Sequence, residues 1–162
     1  MSIKPKLLLS VALLRELHNK IEYYKIVVDN NIKRVEVLSK HTNMNRKGIE
    51  KERQNLESLK KKLNSIDLFL ETVILKLETL MALNQAISSI VVVKETVKEL
   101  KKTIGGSIPI MEVYLDRLNR LSNELMNIAS IDMKSDPKTS LYANQEAKKI
   151  IEEAKKVAGM IQ

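Results

Sequence analysis

The stretch that decides the fold covers residues 55–104 and reads NLESLKKKLNSIDLFLETVILKLETLMALNQAISSIVVVKETVKELKKTI. Apolar residues recur in it at alternating steps of three and four, which is the heptad spacing of a long helix with one narrow apolar face. No Pro or Gly interrupts the stretch, so no strong helix-breaking residue stands before Gly105. Such a helix is marginal alone in water, and we therefore expect its apolar face to pack against a second helix.

A second heptad seam runs through residues 3–40 and supplies that partner. The period breaks at residues 41–45, where Thr and Asn side chains can cap helix ends, and the break predicts the turn of a helical hairpin. The two seams match in antiparallel register, for example Leu17 with Leu70 and Ile21 with Ile66. The sequence therefore predicts a long antiparallel hairpin over residues 3–88.

The apolar stripe changes phase between Ile87 and Ile90, which rotates the apolar face of the helix. Residues 89–104 are therefore either a straight extension of the long helix or a short third helix that folds back, and the pattern leaves both open. Gly105 and Gly106 are predicted to end this segment and to act as a hinge, since Gly is common just beyond a helix C-terminus.

Two further helices complete the predicted chain. Residues 109–131 have the apolar period of a fourth helix, residues 132–139 are polar and are interpreted as a mobile linker, and residues 140–161 predict a terminal helix. The seam of the terminal helix consists mostly of small residues, which bury little area each, so we expect its docking to be reversible. The contact residues are Ala143, Ala147, Ile150 and Ala154.

Composition supports an all-α fold of one domain over residues 1–162. The chain is 44% hydrophobic and 30% charged, with 4 Gly, 3 Pro and no Trp, which is typical of a few long helices with short connections. The lack of Cys excludes disulfides and thiol catalysis. No apolar run reaches the roughly 20 residues of a membrane span, and no signal peptide is recognisable, so a cytoplasmic protein is expected.

Positive charge is concentrated in the N-terminal part of the chain. Residues 1–64 contain 15 Lys and Arg against 7 Asp and Glu, whereas residues 65–162 contain 13 of each sign. Such a field attracts anionic polymers or anionic lipid head groups. The alternative is that Lys-rich helices are merely well solvated.

No catalytic constellation is recognisable, and the sequence predicts no enzyme, cofactor or metal site. His18 and His41 are far apart on one helix, and they are interpreted as surface or boundary residues without carboxylate companions at ligand spacing. Glu22, Asp29 and Glu36 recur every seven residues and form an acidic stripe. The stripe is either a solvated face or a lateral contact with another copy of the chain.

Four segments together resemble the ESCRT-III family, and within it the archaeal cell-division branch of CdvB-type proteins. They are LETVILKLETL (70–80), KELKKTI before GGSIP (98–109), MEVYLDRLNRLSNEL (111–125) and EAKKIIEEAKKVA (146–158). The similarity extends over roughly residues 3–160, and no single motif in it is diagnostic. The resemblance implies a basic helical hairpin, shorter helices after it, and a switch between a closed monomer and an open polymer.

The resemblance also implies how the chain works. Family members form filaments on the cytosolic face of membranes, where they constrict or sever the membrane neck, and an AAA ATPase remodels them. Their final helix docks on the hairpin tip, and here Ala143, Ala147, Ile150 and Ala154 would make that contact, in the same subunit or a neighbouring one. Neither the ATPase-binding tail motif nor the winged helix of the division protein is visible before Gln162, so ATPase recruitment is expected only indirectly or through a tail that is missing from this sequence.

The expected function is a non-enzymatic subunit that polymerises with itself and with paralogues on anionic membrane, in cell division. A static BAR-like or spectrin-like dimer is the main alternative. Nucleic-acid binding is disfavoured because acidic residues intersperse the basic ones and no aromatic groups are arranged for base stacking. The candidate lipid contacts are Lys4, Lys6, Arg15, Lys20, Lys25, Lys33, Arg34, Arg46, Lys47, Arg53, Lys60, Lys61 and Lys62.

Overall fold

The computed structural model describes residues 3–41, 46–104 and 108–161, and in these ranges the fold is all-α without any strand, as predicted. The five helices are α1 (Ile3–His41), α2 (Arg46–Ala82), α3 (Ala86–Ile104), α4 (Met111–Ser135) and α5 (Pro137–Val157). The predicted hairpin turn at residues 42–45 and the predicted hinge at Gly105 and Gly106 lie outside the described residues.

Helices α1 and α2 pack against each other in antiparallel orientation. Near one end of the pair Arg15 Nη2 lies 2.6 Å from Glu78 Oε1, and further along Lys60 Nζ lies 2.8 Å from Asp29 Oδ1. These cross-helix pairs agree with the antiparallel register expected from the two apolar seams. The seam residues that are fully buried in the described structure include Leu14, Leu17, Ile21, Ile66, Leu70, Val73 and Leu77.

Of the two alternatives that the sequence left open for residues 89–104, the structure has the separate third helix, but α2 ends at Ala82 and not at the predicted residue 88. Asn84 has a φ of 57°, in the left-handed region, which Asn adopts more readily than most residues. The amide of Asn84 donates to the carbonyl of Met81 at 3.1 Å, and that of Gln85 donates to Leu80 at 2.9 Å. This pair of hydrogen bonds is the Schellman motif that closes a helix C-terminus, so the chain turns into a separate α3.

Helix α3 is the centre of the fold and contacts all four other helices. Its first half is buried around most of its circumference, with Ile90, Val91, Val92 and Val93 all at most 2% exposed. A helix that is apolar on every side is typical of a helix inside a bundle. The phase change of the apolar stripe therefore reflects a helix with several neighbours instead of one.

The polar segment at 132–139, predicted to be a mobile linker, is helical except at Asp136. Asp136 ends α4 and caps α5: its carboxylate accepts hydrogen bonds from the amides of Lys138 and Thr139, and Pro137 follows at the start of α5. This cap satisfies amides that have no partner inside the helix. The terminal helix accordingly begins at Pro137, before the predicted residue 140. It ends at Val157, and two residues later Gly159 takes a φ of 73°.

Helix α5 docks on α3 and on the C-terminal end of α2. Glu153 Oε2 lies 3.5 Å from Lys76 Nζ, and Glu99 Oε2 of α3 lies 3.2 Å from Lys155 Nζ. The end of α2 at residues 76–82 is remote from the hairpin turn, which joins α1 to the start of α2. In this conformation α5 therefore does not dock on the hairpin tip of its own chain, which was one of the two positions implied by the family resemblance.

Candidate functional site

The half of the hairpin next to its turn is a two-helix arm. None of the described residues in 33–41 and 46–62 is buried, whereas both helices are extensively buried beyond these ranges. The absence of buried side chains indicates that no third helix covers this part of the pair. We call residues 33–41 and 46–62 the distal arm.

The distal arm holds most of the excess positive charge of the chain. It contains ten Lys and Arg against four Asp and Glu, so its formal charge is +6, compared with +8 for the whole chain. Arg53 is paired with Glu50 at 3.0 Å, and Lys60 with Asp29 at 2.8 Å. Within the described part of the arm, the basic residues that are exposed and make no ion pair are Lys33, Arg34, Lys40, Lys47, Lys51 and Lys61.

Apolar side chains lie between these charges. Val37 and Leu38 are 54% and 53% exposed, and together with Lys33 and Arg34 they line a shallow depression on α1. The apolar seam predicted for residues 3–40 includes Leu38, but about half of its surface is accessible here. A surface that combines basic and apolar side chains suits the interface between water and a lipid bilayer.

The structure divides the predicted lipid contacts into two groups. The group on the distal arm comprises Lys33, Arg34, Arg46, Lys47, Arg53, Lys60, Lys61 and Lys62. The other five, Lys4, Lys6, Arg15, Lys20 and Lys25, lie towards the opposite end of α1, and three of them make ion pairs within the fold, as for Lys6 with Glu124 at 2.8 Å. Sequence reasoning missed Lys40 and Lys51, which the hairpin geometry places on the arm.

The acidic stripe faces α2 for much of its length. Asp29 pairs with Lys60, and Glu22 lies beside Lys25 and Asp67, so both are engaged within one chain, whereas Glu36 is exposed. The hydrogen bond from Lys60 to Asp29 raises the pKa of Lys60. Glu22 and Asp29 are thus already paired within the chain, although their side chains are 46% and 43% exposed.

The mostly small side chains in the apolar seam of α5 are all buried inside the bundle. Ala143, Ala147, Ile150 and Ala154 are each at most 3% exposed and belong to the same core as the buried residues of α3. Small side chains allow the close approach of α5 to α3. They bury less apolar area per residue than Leu or Ile would, so the docking of α5 depends on few apolar groups.

A charged cluster lies between α1 and α2 in the packed part of the hairpin, outside the distal arm. His18 Nε2 is 2.6 Å from Asp67 Oδ1 and 3.1 Å from Glu71 Oε1, and Lys25 Nζ is 2.9 Å from Asp67 Oδ2. Glu22 completes the group, with Oε1 4.0 Å from His18 Nε2 and 3.6 Å from Lys25 Nζ. The interpretation of His18 as a residue without carboxylate companions is therefore wrong.

The cluster perturbs its own members. A hydrogen bond to the Asp67 carboxylate and partial burial raise the pKa of Glu22, because both disfavour a second negative charge at this place. Desolvation acts to lower the pKa of Lys25, but the hydrogen bond to Asp67 and the negative charges of Asp67 and Glu22 outweigh it and raise the pKa. The cluster thus contains three carboxylates, and their negative charge stabilises the protonated form of Lys25.

None of the described helices combines the length and the apolar character needed to cross a bilayer. No protein-family model, no curated protein and no solved structure matches the chain. The resemblance to ESCRT-III proteins therefore remains an expectation from the sequence.

Proposed function

We propose that this protein is a non-enzymatic membrane-associated assembly subunit whose distal arm binds the anionic face of a membrane, and which polymerises there to constrict or sever it. The concentration of six net positive charges on an arm that no other helix covers is the observation that carries the proposal. Cell division, a peripheral position on the inner membrane face and co-assembly with paralogues follow from the ESCRT-III resemblance alone.

Electrostatic attraction supplies most of the proposed binding. Each Lys or Arg that approaches an anionic bilayer contributes about 1 kcal/mol, and this contribution falls off within a Debye length. The six exposed and unpaired basic residues of the arm are enough for reversible attachment at moderate salt. Val37 and Leu38 would add a shallow apolar contact beside Lys33 and Arg34.

The bundle conformation is interpreted as the closed state of the proposed switch. Docked α5 covers an apolar face of α3 with small side chains, and its release would expose that face to a neighbouring copy. Of the two charge pairs between α5 and the other helices, Lys76 with Glu153 is 44% exposed on both sides and contributes little. The other pair, Lys155 with Glu99, is mostly shielded from solvent.

Sedimentation with vesicles tests the proposal. The full chain is mixed with vesicles of phosphatidylcholine, with or without phosphatidylserine, at low and raised salt, and negative-stain electron microscopy records filaments. Binding is expected only with phosphatidylserine and should weaken with salt. The quadruple variant Lys33→Glu, Arg34→Glu, Lys47→Glu and Lys61→Glu should lose it.

A matched control carries the same change of charge elsewhere. Lys94, Lys134, Lys148 and Lys156 are exposed residues of α3, α4 and α5, and their combined change to Glu should leave much more binding than the arm variant does. Equal losses would mean that net charge and not the arm governs attachment. Discrete particles of fixed dimer mass under all conditions would favour the static scaffold, and stronger binding to DNA than to vesicles would favour a nucleic-acid function.

A further inference from the structure

We propose that His18, Glu22, Asp67 and Glu71 form a site for one transition-metal dication, best matched by Zn²⁺, that clamps α1 to α2. The proposal is independent of membrane binding, because it concerns only side chains between two helices of one chain. One imidazole and three carboxylates are a donor set that suits Zn²⁺ and Mn²⁺, whereas Mg²⁺ prefers oxygen donors and several waters.

Helix geometry brings the four donors together. His18 and Glu22 are four residues apart on α1, as are Asp67 and Glu71 on α2, so each pair lies on one face of its helix. The antiparallel register places the two pairs opposite each other, and one ligand atom from each side chain lies within 4.8 Å of all the others. Around Zn²⁺, donors at about 2.0–2.2 Å from the ion are at most about 4.4 Å apart, so small side-chain movements suffice.

The buried carboxylate of Asp67 gives an independent reason to expect a bound ion. Its side chain is only 6% exposed, and Oδ1 is buried without a hydrogen-bond partner among the described residues, although His18 Nε2 is 2.6 Å away. The hydrogen bond of His18 Nε2 is directed instead to Glu71 Oε1 at 3.1 Å. Oδ1 and Nε2 thus converge on one region, where a bound ion would replace their 2.6 Å contact and move the two atoms apart.

The rest of the cluster fits the same interpretation. Lys25 is bound to Asp67 Oδ2 and leaves Oδ1 available. The side chains of Glu22 and Glu71 are 46% and 55% exposed, so an ion can enter from solvent and meet the buried carboxylate at the bottom of the site. Coordination through His18 Nε2 requires the imidazole proton on Nδ1, and it replaces the close approach of Glu22 to Asp67 by two metal bonds.

Calorimetric titration of the full chain, stripped of metal with a chelator and dialysed, with ZnCl₂ tests the site. One Zn²⁺ per chain is expected, together with a higher Tm when Zn²⁺ is present. His18→Gln and Glu71→Gln should each weaken the binding by about tenfold or more, because replacing a direct ligand by a neutral amide, a poorer ligand, costs at least as much as losing an outer-shell partner. His41→Gln removes the other histidine of the chain, which is exposed and outside the cluster, and should change nothing.

Two results would overturn the proposal. One is the lack of stoichiometric Zn²⁺ binding by the folded wild-type chain, which would mean that a shared proton and Lys25 alone neutralise the carboxylates. The other is unchanged binding in both His18→Gln and Glu71→Gln. If His18→Gln does not fold, Glu71→Gln decides alone, because Glu71 is exposed and its amide analogue should leave folding intact. Equal competition by Mg²⁺ would overturn the assignment to a transition metal.

Discussion

Lys25 Nζ lies 2.9 Å from Asp67 Oδ2, and this ion pair joins the two long helices where the Asp67 side chain is only 6% exposed. Without Lys25 this buried carboxylate would keep only the His18 imidazole, 2.6 Å from Oδ1, to offset its charge. Because Lys25 is itself partly exposed, we expect Lys25→Met to lower the free energy of unfolding by about 2 kcal/mol, below the usual range for a fully buried pair. Urea unfolding followed by circular dichroism measures this loss.

Lys20 provides the control for this prediction, since it is exposed on the same helix and makes no ion pair among the described residues. Lys20→Met should change stability by less than about 0.5 kcal/mol. The double variant Lys25→Met with Asp67→Asn should be more stable than Lys25→Met alone, because it no longer buries a charge. Equal losses for Lys25→Met and Lys20→Met would show that solvent already screens Asp67.

Asn84 determines where the long helix ends, because its φ of 57° is unfavourable for most residues. Asn84→Gly should be tolerated, whereas Asn84→Val should cost about 1–2 kcal/mol, the usual cost of a left-handed conformation for a side chain with a Cβ. Thermal or urea unfolding of the two variants measures the difference. Equal free energies of unfolding for Asn84→Val and Asn84→Gly would indicate that the chain can straighten at residue 84 without loss of stability.

The hairpin was predictable because the spacing of apolar residues determines which faces of α1 and α2 are buried. The end of α2 was not, since a left-handed Asn leaves the apolar period nearly intact, and the only local signals were the polar Asn84 and the phase change after Ile87. The helical structure of segment 132–139 was not predictable either, because its polar composition is typical of a linker. The cap made by Asp136 is a hydrogen-bonding pattern that composition does not reveal.

The charged cluster was within reach of sequence reasoning, although it was missed. The predicted pairing of Ile21 with Ile66 already places the His18 and Glu22 pair beside the Asp67 and Glu71 pair. What the register could not supply is the orientation of individual atoms, such as the unpartnered Oδ1 of Asp67. It also could not show which lysines are paired within the fold, as Lys25 and Lys60 are.

Asp136 should make stability depend on pH in the acid range. Its hydrogen bonds with Thr139 and the amide of Lys138 lower the pKa of its carboxyl below 3.8. The stabilisation by the charged form is therefore complete above pH 3.8 and disappears as the pH falls through the lower pKa of the folded state. Asp136→Asn keeps a capping side chain but carries no charge, so it isolates this effect.

Urea unfolding of the wild-type protein and of Asp136→Asn between neutral pH and pH 2 measures the dependence. The wild-type protein should be the more stable of the two near neutral pH, and the difference should vanish at the acid end. A difference that persists at all pH values would show that the cap acts through its geometry and not through its charge.

Ala147 is fully buried in the seam of α5, so a larger side chain there should disturb the docking of this helix. We expect Ala147→Leu to cost about 1–3 kcal/mol by overpacking and to increase hydrogen exchange of the α5 amides more than that of α1 and α2. Lys148→Leu introduces the same side chain on the exposed face of α5 and should leave the exchange unchanged. Uniform acceleration in all five helices would mean that α5 does not undock separately.

Alanine substitutions at Leu70 and at Leu38 compare the packed part of the hairpin with the distal arm. Leu70 is fully buried, and Leu70→Ala should lower the free energy of unfolding by about 3 kcal/mol through lost apolar contact and a residual cavity. Leu38 is 53% exposed, and Leu38→Ala should cost less than about 0.5 kcal/mol. The same Leu38→Ala variant should nevertheless weaken sedimentation with phosphatidylserine vesicles, because it removes an apolar contact that matters only on the membrane. A large loss of stability in Leu38→Ala would instead show that Leu38 packs against another part of the chain, and that the arm is covered in solution.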